Sequence, residues 1–222
     1  MKRHFENEIT YLKDAVLRLG SEVEEALSTA VSAAIGGNVE IAAKVIEHDN
    51  VIDQEEIRIE EECLKILALH QPMAGDLRYV IALLKMNNEL ERIGDLAANI
   101  AERALNLAEA PLIPADKFDF ESMVNETRNM FRSALNSLVG QNSQMAAAVI
   151  RKDDEIDAMH SANFHKISRL IPAHPELSDY YLSILSVSRS LERIADCATN
   201  ICEDVIYLEQ GRIVRHTKNL LS

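Results

Sequence analysis

A thirteen-residue segment occurs twice in this chain, at Leu90–Glu102 and Leu191–Glu203, with an offset of 101 residues. The first copy reads LERIGDLAANIAE and the second LERIADCATNICE, so nine of the thirteen positions are identical. A match of this length indicates that the protein has two related halves. Whatever polar chemistry the segment carries is therefore expected at two equivalent places.

Apolar residues recur along the chain at alternating steps of three and four, which is typical of long helices with coiled-coil-like packing. The sequence is poor in helix breakers, with 7 Gly and 5 Pro, and 47% of its residues are hydrophobic. Such a composition favours a mostly helical protein with a packed core. Helix ends are predicted at Gly36-Gly37, Gln71-Pro72, Gly140, Pro172–Pro175 and Gly211.

These breaks leave three helices in each half, joined by short turns. We predict an all-α fold made of two repeated antiparallel three-helix bundles that are related by pseudo-twofold symmetry. The only linker-like stretch, Pro111–Pro114, divides the chain nearly in half. The first bundle is accordingly expected over residues 1–110 and the second over residues 111–222.

The composition also restricts the partners. The formal net charge of −13 opposes nucleic-acid binding, which needs basic surfaces. No run approaches the ~20 apolar residues of a membrane span, so any membrane role must go through a partner. The N-terminus has no apolar signal-peptide core. The three cysteines lack zinc-finger spacing and are expected to be reduced, so we predict a cytoplasmic protein.

The repeated segment carries an acidic stripe. Its Glu91, Asp95, Asn99 and Glu102 follow at steps of four, four and three, and therefore lie within roughly a quarter of the helix circumference. This line is opposite the apolar seam, as expected for an ordinary solvated face. Glu91 and Asp95, however, are like charges at i, i+4, an arrangement that is destabilising by a few tenths of a kcal/mol. A bound cation would remove that repulsion.

The internal repeat serves as a control on these two interpretations. Positions that we expect at the surface differ between the halves, such as Asn87–Glu89 and Ser188–Ser190, whereas the acidic stripe is kept. This contrast favours a cation site. The helical wheel alone leaves a solvated face and a metal site both open.

A second stripe of Asp49, Asp53 and Glu56 runs along the edge of the apolar face of the second helix and could face the first stripe. The second half aligns Asp153, Asp157 and His160 with it, at an offset of 104. A surface histidine and a metal ligand are equally good interpretations of His160. Oxygen ligands suit Mg²⁺, Mn²⁺, Fe or Ca²⁺, and Zn²⁺ is also compatible. The candidate metal ligands are Asp49, Asp53, Glu56, Glu91, Asp95, Asn99, Asp153, Asp157, His160, Glu192, Asp196 and Asn200.

Enzyme motifs are absent from the sequence. It has no Gly-rich phosphate loop, no Gly-x-Ser-x-Gly and no His-Glu-x-x-His. The paired Glu-x-x-His of di-iron helical bundles is also missing. We therefore predict no catalytic residues.

The chain resembles the PhoU family of bacterial phosphate-signalling regulators. The resemblance rests on the twin Glu-Arg-Ile-(Gly/Ala)-Asp-x-x-x-Asn-Ile segments and on the aligned Val45–Asp53 and Val149–Asp157. It extends to the segment Gln71–Arg78 and the ending Asn200–His216, and so covers essentially the whole chain.

The resemblance implies a cytoplasmic negative regulator of the phosphate-starvation response and of phosphate uptake. It implies an adaptor between the ATPase subunit of a phosphate ABC transporter and a phosphate-sensing histidine kinase. It also implies multinuclear metal binding at Glu91, Asp95, Glu192 and Asp196, with ions such as Fe, Zn, Mn or Mg. We further expect a homodimer. Two alternatives stay open, a helical carboxylate metalloenzyme and a structural adaptor without metal.

Overall fold

The computed structural model describes residues 2–108 and 120–214. Within these ranges the chain forms six α-helices and one short 3-10 helix, and no strand. The α-helices are α1 (Lys2–Gly36), α2 (Val39–His70), α3 (Gly75–Ala108), α4 (Phe120–Gly140), α5 (Ser143–Ala173) and α6 (Ser178–Gln210). The 3-10 turn Pro175–Leu177 lies between α5 and α6. The predicted all-α fold of two antiparallel three-helix bundles is confirmed.

The helix ends follow from the local sequence, as predicted. Gly37 adopts a left-handed φ of 62° after α1, a conformation that glycine reaches without strain. The Asn38 side chain then caps α2 by accepting a hydrogen bond of 3.1 Å from the Ile41 amide. Gly211 ends α6 in the same left-handed region, with a φ of 66°. The proline and glycine pattern therefore determines where most of the helices begin and end.

The motif helices α3 and α6 are the centre of the molecule. Helix α3 packs against α1, α2 and α6, and α6 packs against α4, α5 and α3. A single apolar cluster contains residues of all six α-helices, among them Leu12, Ile52, Leu90, Phe131, Ile156 and Leu191. The two bundles therefore share one continuous core.

Two further contacts join the halves. The Lys85 ammonium on α3 lies 2.9 Å from the Asp204 carboxylate on α6, and Asp204 is almost fully buried. On α1, a Cβ at Gly20 would lie only 2.9 Å from the Leu135 side chain of α4, so α1 and α4 approach closely there. The linker Pro111–Pro114 and the predicted boundary after residue 110 lie outside the described residues, so that division stays a prediction. Among the described helices, none has the length and apolar content that a membrane span requires.

Candidate metal centre

Helices α2 and α3 approach each other closely at Gly94. A Cβ at this position would lie 3.0 Å from Ile52 Cγ2 and 3.3 Å from the Asp49 carboxylate oxygen Oδ1. The absence of a side chain thus lets α2 lie directly on α3. As a result, the acids on either side of Ile52 are brought next to Asp95, one residue after Gly94.

Three carboxylates meet at this contact. Asp49, Asp53 and Asp95 each offer an oxygen, and these oxygens all lie within 4.8 Å of one another. Among the described residues, no other three His, Cys, Asp or Glu side chains come together so closely. Asp49 Oδ1 is buried and has no hydrogen-bond partner in the protein. A buried carboxylate oxygen without a donor is costly unless a cation satisfies it.

The pKa values of the acids in this group are raised, which also favours a bound cation. Burial, followed by the charges of Asp95 and Asp53, raises the pKa of Asp49 to about 6. The same causes, burial first and then Asp95 and Asp53, raise the pKa of Glu91 to about 7. Burial and Asp53 also raise the pKa of Asp95. The carboxylates therefore oppose each other's ionisation, and a cation among them would stabilise the charged forms.

Glu56 lies at the end of this group and is held by Asn87 of α3. The Asn87 side-chain amide donates to the Glu56 backbone carbonyl at 2.8 Å and to its carboxylate at 3.1 Å. Burial, with the charges of Glu60 and Asp53, raises the pKa of Glu56. The structure therefore places five of the predicted ligands, Asp49, Asp53, Glu56, Glu91 and Asp95, along one α2–α3 groove.

The equivalent α5–α6 groove is electrostatically different. Burial is the main cause that raises the pKa values of Glu192 and Asp196. The charges of Asp196 and then Asp157 add to it at Glu192, and the charge of Asp157 adds to it at Asp196. Three arginines act in the opposite direction in this half. Arg189 and Arg193 lower the pKa of Glu192, and Arg92, which belongs to α3, lowers that of Asp196 together with Arg193.

His160 takes the place of Glu56 in the second groove. Its Nδ1 lies 3.0 Å from the hydroxyl oxygen of Ser188, and Ser188 is the counterpart of Asn87. Burial and the nearby Arg189 lower the pKa of His160, which favours the neutral imidazole that can coordinate a metal. The histidine is thus oriented by the residue that replaces the asparagine of the first half.

The other predicted ligands do not lie in a close group of carboxylates among the described residues. Asp153 is half-buried, and Asn99 is exposed on α3. The Asn200 amide donates to the Glu89 carboxylate on α3 at 3.2 Å, so it contributes to the contact between the two halves. The sequence pattern had assigned Asn99 and Asn200 the same position, and the structure gives them different surroundings.

The expectation that Asn87 and Ser188 are surface positions is wrong. Both are fully buried, and they orient Glu56 and His160 respectively. Each side chain adjoins the apolar seam, and a helix that packs on three neighbours buries these flanking positions as well. The two halves therefore differ by a paired replacement: Asn87 and Glu56 in the first half correspond to Ser188 and His160 in the second. This difference is not the free variation of a surface position.

The first groove fits a hard cation. It offers carboxylate oxygens from two helices, an oxygen without a hydrogen bond, and raised pKa values that a positive charge would reverse. Carboxylate oxygens are the preferred ligands of Mg²⁺, Mn²⁺ and related ions. Fold and site together define a protein of two repeated helical bundles, each with a carboxylate-lined groove at its motif helix.

Comparison with known proteins assigns this architecture to a family. The family model described as PhoU domain matches residues 16–104 and again residues 120–205. The chain therefore belongs to the PhoU family, and the two matched segments are the two related halves.

Relatives and solved structures agree with this assignment. The phosphate-specific transport system accessory protein PhoU homolog of Pseudomonas putida is 37% identical over 97% of this chain and 84% of its own length. PhoU homolog 1 of Thermotoga maritima is 37% identical over 94% of this chain and 90% of its own length. The crystal structure of PhoU from Pseudomonas aeruginosa superposes with a TM-score of 0.90 at 34% identity, covering 94% of this chain and all of the other.

Proposed function

We propose that this protein is an accessory regulator of phosphate transport that represses phosphate uptake and the phosphate-starvation response. The proposal is supported by its membership of the PhoU family and by relatives named phosphate-specific transport system accessory proteins. It acts in the cytoplasm, as a homodimer and without catalytic chemistry. Its partners are the ATPase subunit of a phosphate ABC transporter and a phosphate-sensing histidine kinase.

The regulator carries metal ions in its carboxylate grooves. The observation that supports this part of the proposal is the group of Asp49, Asp53 and Asp95, whose oxygens lie within 4.8 Å of one another around an unbonded, buried oxygen. Such a group is more easily tolerated around a cation than alone. Fe, Mn, Zn and Mg are all compatible with the carboxylate set, and in the second groove His160 favours a transition metal.

Metal in the first groove would join α2 to α3 without a covalent bond. Because α3 also packs on α6, a change in metal occupancy would reach the contact between the halves through a single rigid helix. The grooves thus have a structural role in the adaptor. Metal in the grooves fixes the positions of the helices, and these helices carry the surfaces that bind the partners.

The regulatory part of the proposal is tested by gene deletion and complementation in the source organism. At high phosphate, deletion is expected to release a phosphate-responsive reporter from repression, and the wild-type gene restores it. Unchanged reporter expression at high phosphate in the deletion strain would contradict the proposed role. Pull-down of the transporter ATPase and the kinase at high and low phosphate tests the partners, and failure to capture either contradicts the adaptor role.

The metal part is tested separately by elemental analysis of protein purified without chelator. We expect at least about one metal ion per chain, and loss of metal in Asp95→Asn, because this change removes one of the three clustered carboxylates. Less than this amount, together with unchanged stability of Asp95→Asn, would support a structural adaptor without metal. Neither outcome depends on the reporter experiment.

A further inference from the structure

A second, chemically different group of ligand atoms lies where the start of α1 meets the end of α2. His70, on the last turn of α2, and Glu8, on α1, have side chains that are each only 14% exposed. His4 lies one turn before Glu8, and its side chain is 74% exposed. The sequence pattern gave none of these residues a role, and they belong to neither carboxylate groove.

Both oxygens of the Glu8 carboxylate face an imidazole. His70 Nε2 lies 2.5 Å from Glu8 Oε2, and His4 Nε2 lies 3.4 Å from Glu8 Oε1. The centres of the two imidazole rings are 6.2 Å apart. The Phe5 ring lies 5.2 Å from that of His70 and covers it on one side. Two nitrogen ligands and one carboxylate are thus gathered at one end of the bundle.

We propose that His4, Glu8 and His70 form a binding site for a divalent transition-metal ion of the Zn²⁺ type. Two imidazoles and a carboxylate, completed by water, are a common ligand set for Zn²⁺. Zn²⁺ holds its ligands at about 2.0–2.2 Å in a tetrahedron, which sets the ligand atoms about 3.3 Å apart. The His4–Glu8 distance of 3.4 Å already has this value.

Metal binding requires two small movements. The His70–Glu8 contact must lengthen by somewhat under ~1 Å to reach the tetrahedral spacing. The His4 ring must turn towards His70, because the three ligand atoms do not all lie within 4.8 Å of one another in the structure. Its high exposure on the first turn of α1 leaves His4 free to turn. Lys65, a nearby cation, forms its ion pair with Glu62 at 3.0 Å.

This site is independent of the carboxylate grooves. His70 lies 21 residues beyond Asp49 on the same continuous helix, a distance of about 30 Å along the helix axis. Its nitrogen ligands select a borderline metal, whereas the grooves offer mainly oxygen. A metal at this end would fasten α1 to α2, where the metal-free protein has the His70–Glu8 contact and the packing of Phe5 on His70.

The test is a Zn²⁺ titration of the full-length chain carrying Asp95→Asn and Asp196→Asn, which weakens the grooves and keeps the two sites distinguishable. Histidine side-chain NMR is the readout. We expect saturable shifts of the His4 and His70 ring signals, with the His174 ring unaffected. His174 also lies 3.4 Å from a carboxylate, that of Glu176, and is therefore a matched control.

Substitutions complete the test. His4→Ala and Glu8→Gln are expected to weaken Zn²⁺ binding by more than about tenfold, since even the loss of an outer-shell partner costs 10–100-fold. His174→Ala is expected to leave the affinity unchanged. His4 is exposed, so its replacement leaves the fold intact. Ring signals that do not move with Zn²⁺, or a His4→Ala variant that binds as tightly as its parent, would overturn the proposal and leave a simple ion pair.

Discussion

The two carboxylate grooves occupy equivalent places in the fold and differ in the charges that surround their acids. In the first groove, burial and then the charges of neighbouring acids raise the pKa of Asp49 to about 6 and that of Glu91 to about 7. In the second groove, Arg92, Arg189 and Arg193 partly neutralise the corresponding acids. The repeated sequence has thus produced one groove whose acids are mainly surrounded by other acids and one whose acids also have arginines nearby.

The comparison teaches that an internal repeat preserves ligands more readily than their environment. Arg92 is part of the first copy of the motif, yet its charge acts on Asp196 of the second copy, because α3 and α6 lie against each other. The second half has His160 in place of Glu56 and Ser188 in place of Asn87. The candidate metal ligand and the side chain that hydrogen-bonds to it therefore change together. We therefore expect the two halves to be equivalent in packing and unequal in metal binding.

Packing offers the largest effect and tests the equivalence of the halves. Leu90 and Leu191 occupy the same motif position, and both are fully buried. Leu90→Ala and Leu191→Ala should each lower the free energy of unfolding by roughly 2–5 kcal/mol, as for other leucines in well-packed cores. Urea unfolding measures this change. Values under about 0.5 kcal/mol in both variants would contradict the assignment of the seam.

The contact between the halves is a place where the equivalence is broken. Lys85 pairs with the buried Asp204, whereas the counterparts of these residues, at an offset of 101, are Ser186 and Arg103. Lys85→Ala should destabilise the protein by about 2–3 kcal/mol, because it removes a cationic partner of a buried carboxylate. Ser186→Ala is the matched control, with an expected change within about 0.5 kcal/mol. Equal effects of the two substitutions in urea unfolding would refute this asymmetry.

The raised pKa values predict how the metal-free protein responds to pH. A carboxyl whose pKa is higher in the folded state holds its proton more tightly there, so its contribution to folding stability is greatest below the unfolded value near 4. It decreases as the pH rises through the folded values of about 6 and about 7. We expect a loss of about 1–2 kcal/mol from this groove between pH 4 and pH 7.5, allowing for solvent screening.

Asp49→Asn should flatten that dependence, whereas Asp153→Asn, at the aligned position of the second groove, should leave most of it in place. Thermal unfolding of chelator-treated protein across this pH range gives the comparison. If the two variants retained the same slope, the electrostatic difference between the grooves would not be supported. Addition of a divalent metal should reverse the loss at neutral pH, since binding to the folded state alone raises its stability.

The smallest predicted effect concerns relative metal affinity. Asp95→Asn should weaken the tightest metal-binding step by about tenfold or more, whereas Asp196→Asn should affect a weaker step. The reason is that Asp95 belongs to the close group of three carboxylates, whereas Arg92 and Arg193 partly neutralise the surroundings of Asp196. Calorimetric titration with Mn²⁺ distinguishes the steps. A larger loss of tight binding in Asp196→Asn would reverse the ranking of the grooves.

The helical framework could be predicted from the sequence because the seam, the caps and the repeat are local patterns. Gly37 and Gly211 each act on their own helix end, and the structure has them in the predicted roles. Asn38 likewise acts locally, as the N-cap of α2. The acidic stripes could be predicted for the same reason, since a helical wheel determines which residues share a face.

The environment of the stripes could not be predicted, because it depends on how one helix lies against another. The close approach at Gly94 depends on the register between α2 and α3, and the influence of Arg92 on Asp196 depends on the α3–α6 contact. The burial of Asn87 and Ser188 follows from the central position of the motif helices. A wheel drawn for a single helix contains none of this information.

Anomalous diffraction from crystals grown with limiting Mn²⁺ would show directly whether the first groove is the stronger cation site. We expect an anomalous peak between Asp49, Asp53 and Asp95, at a higher occupancy than any peak beside Asp157 and Asp196. A crystal with full Mn²⁺ in the second groove and none in the first would contradict it.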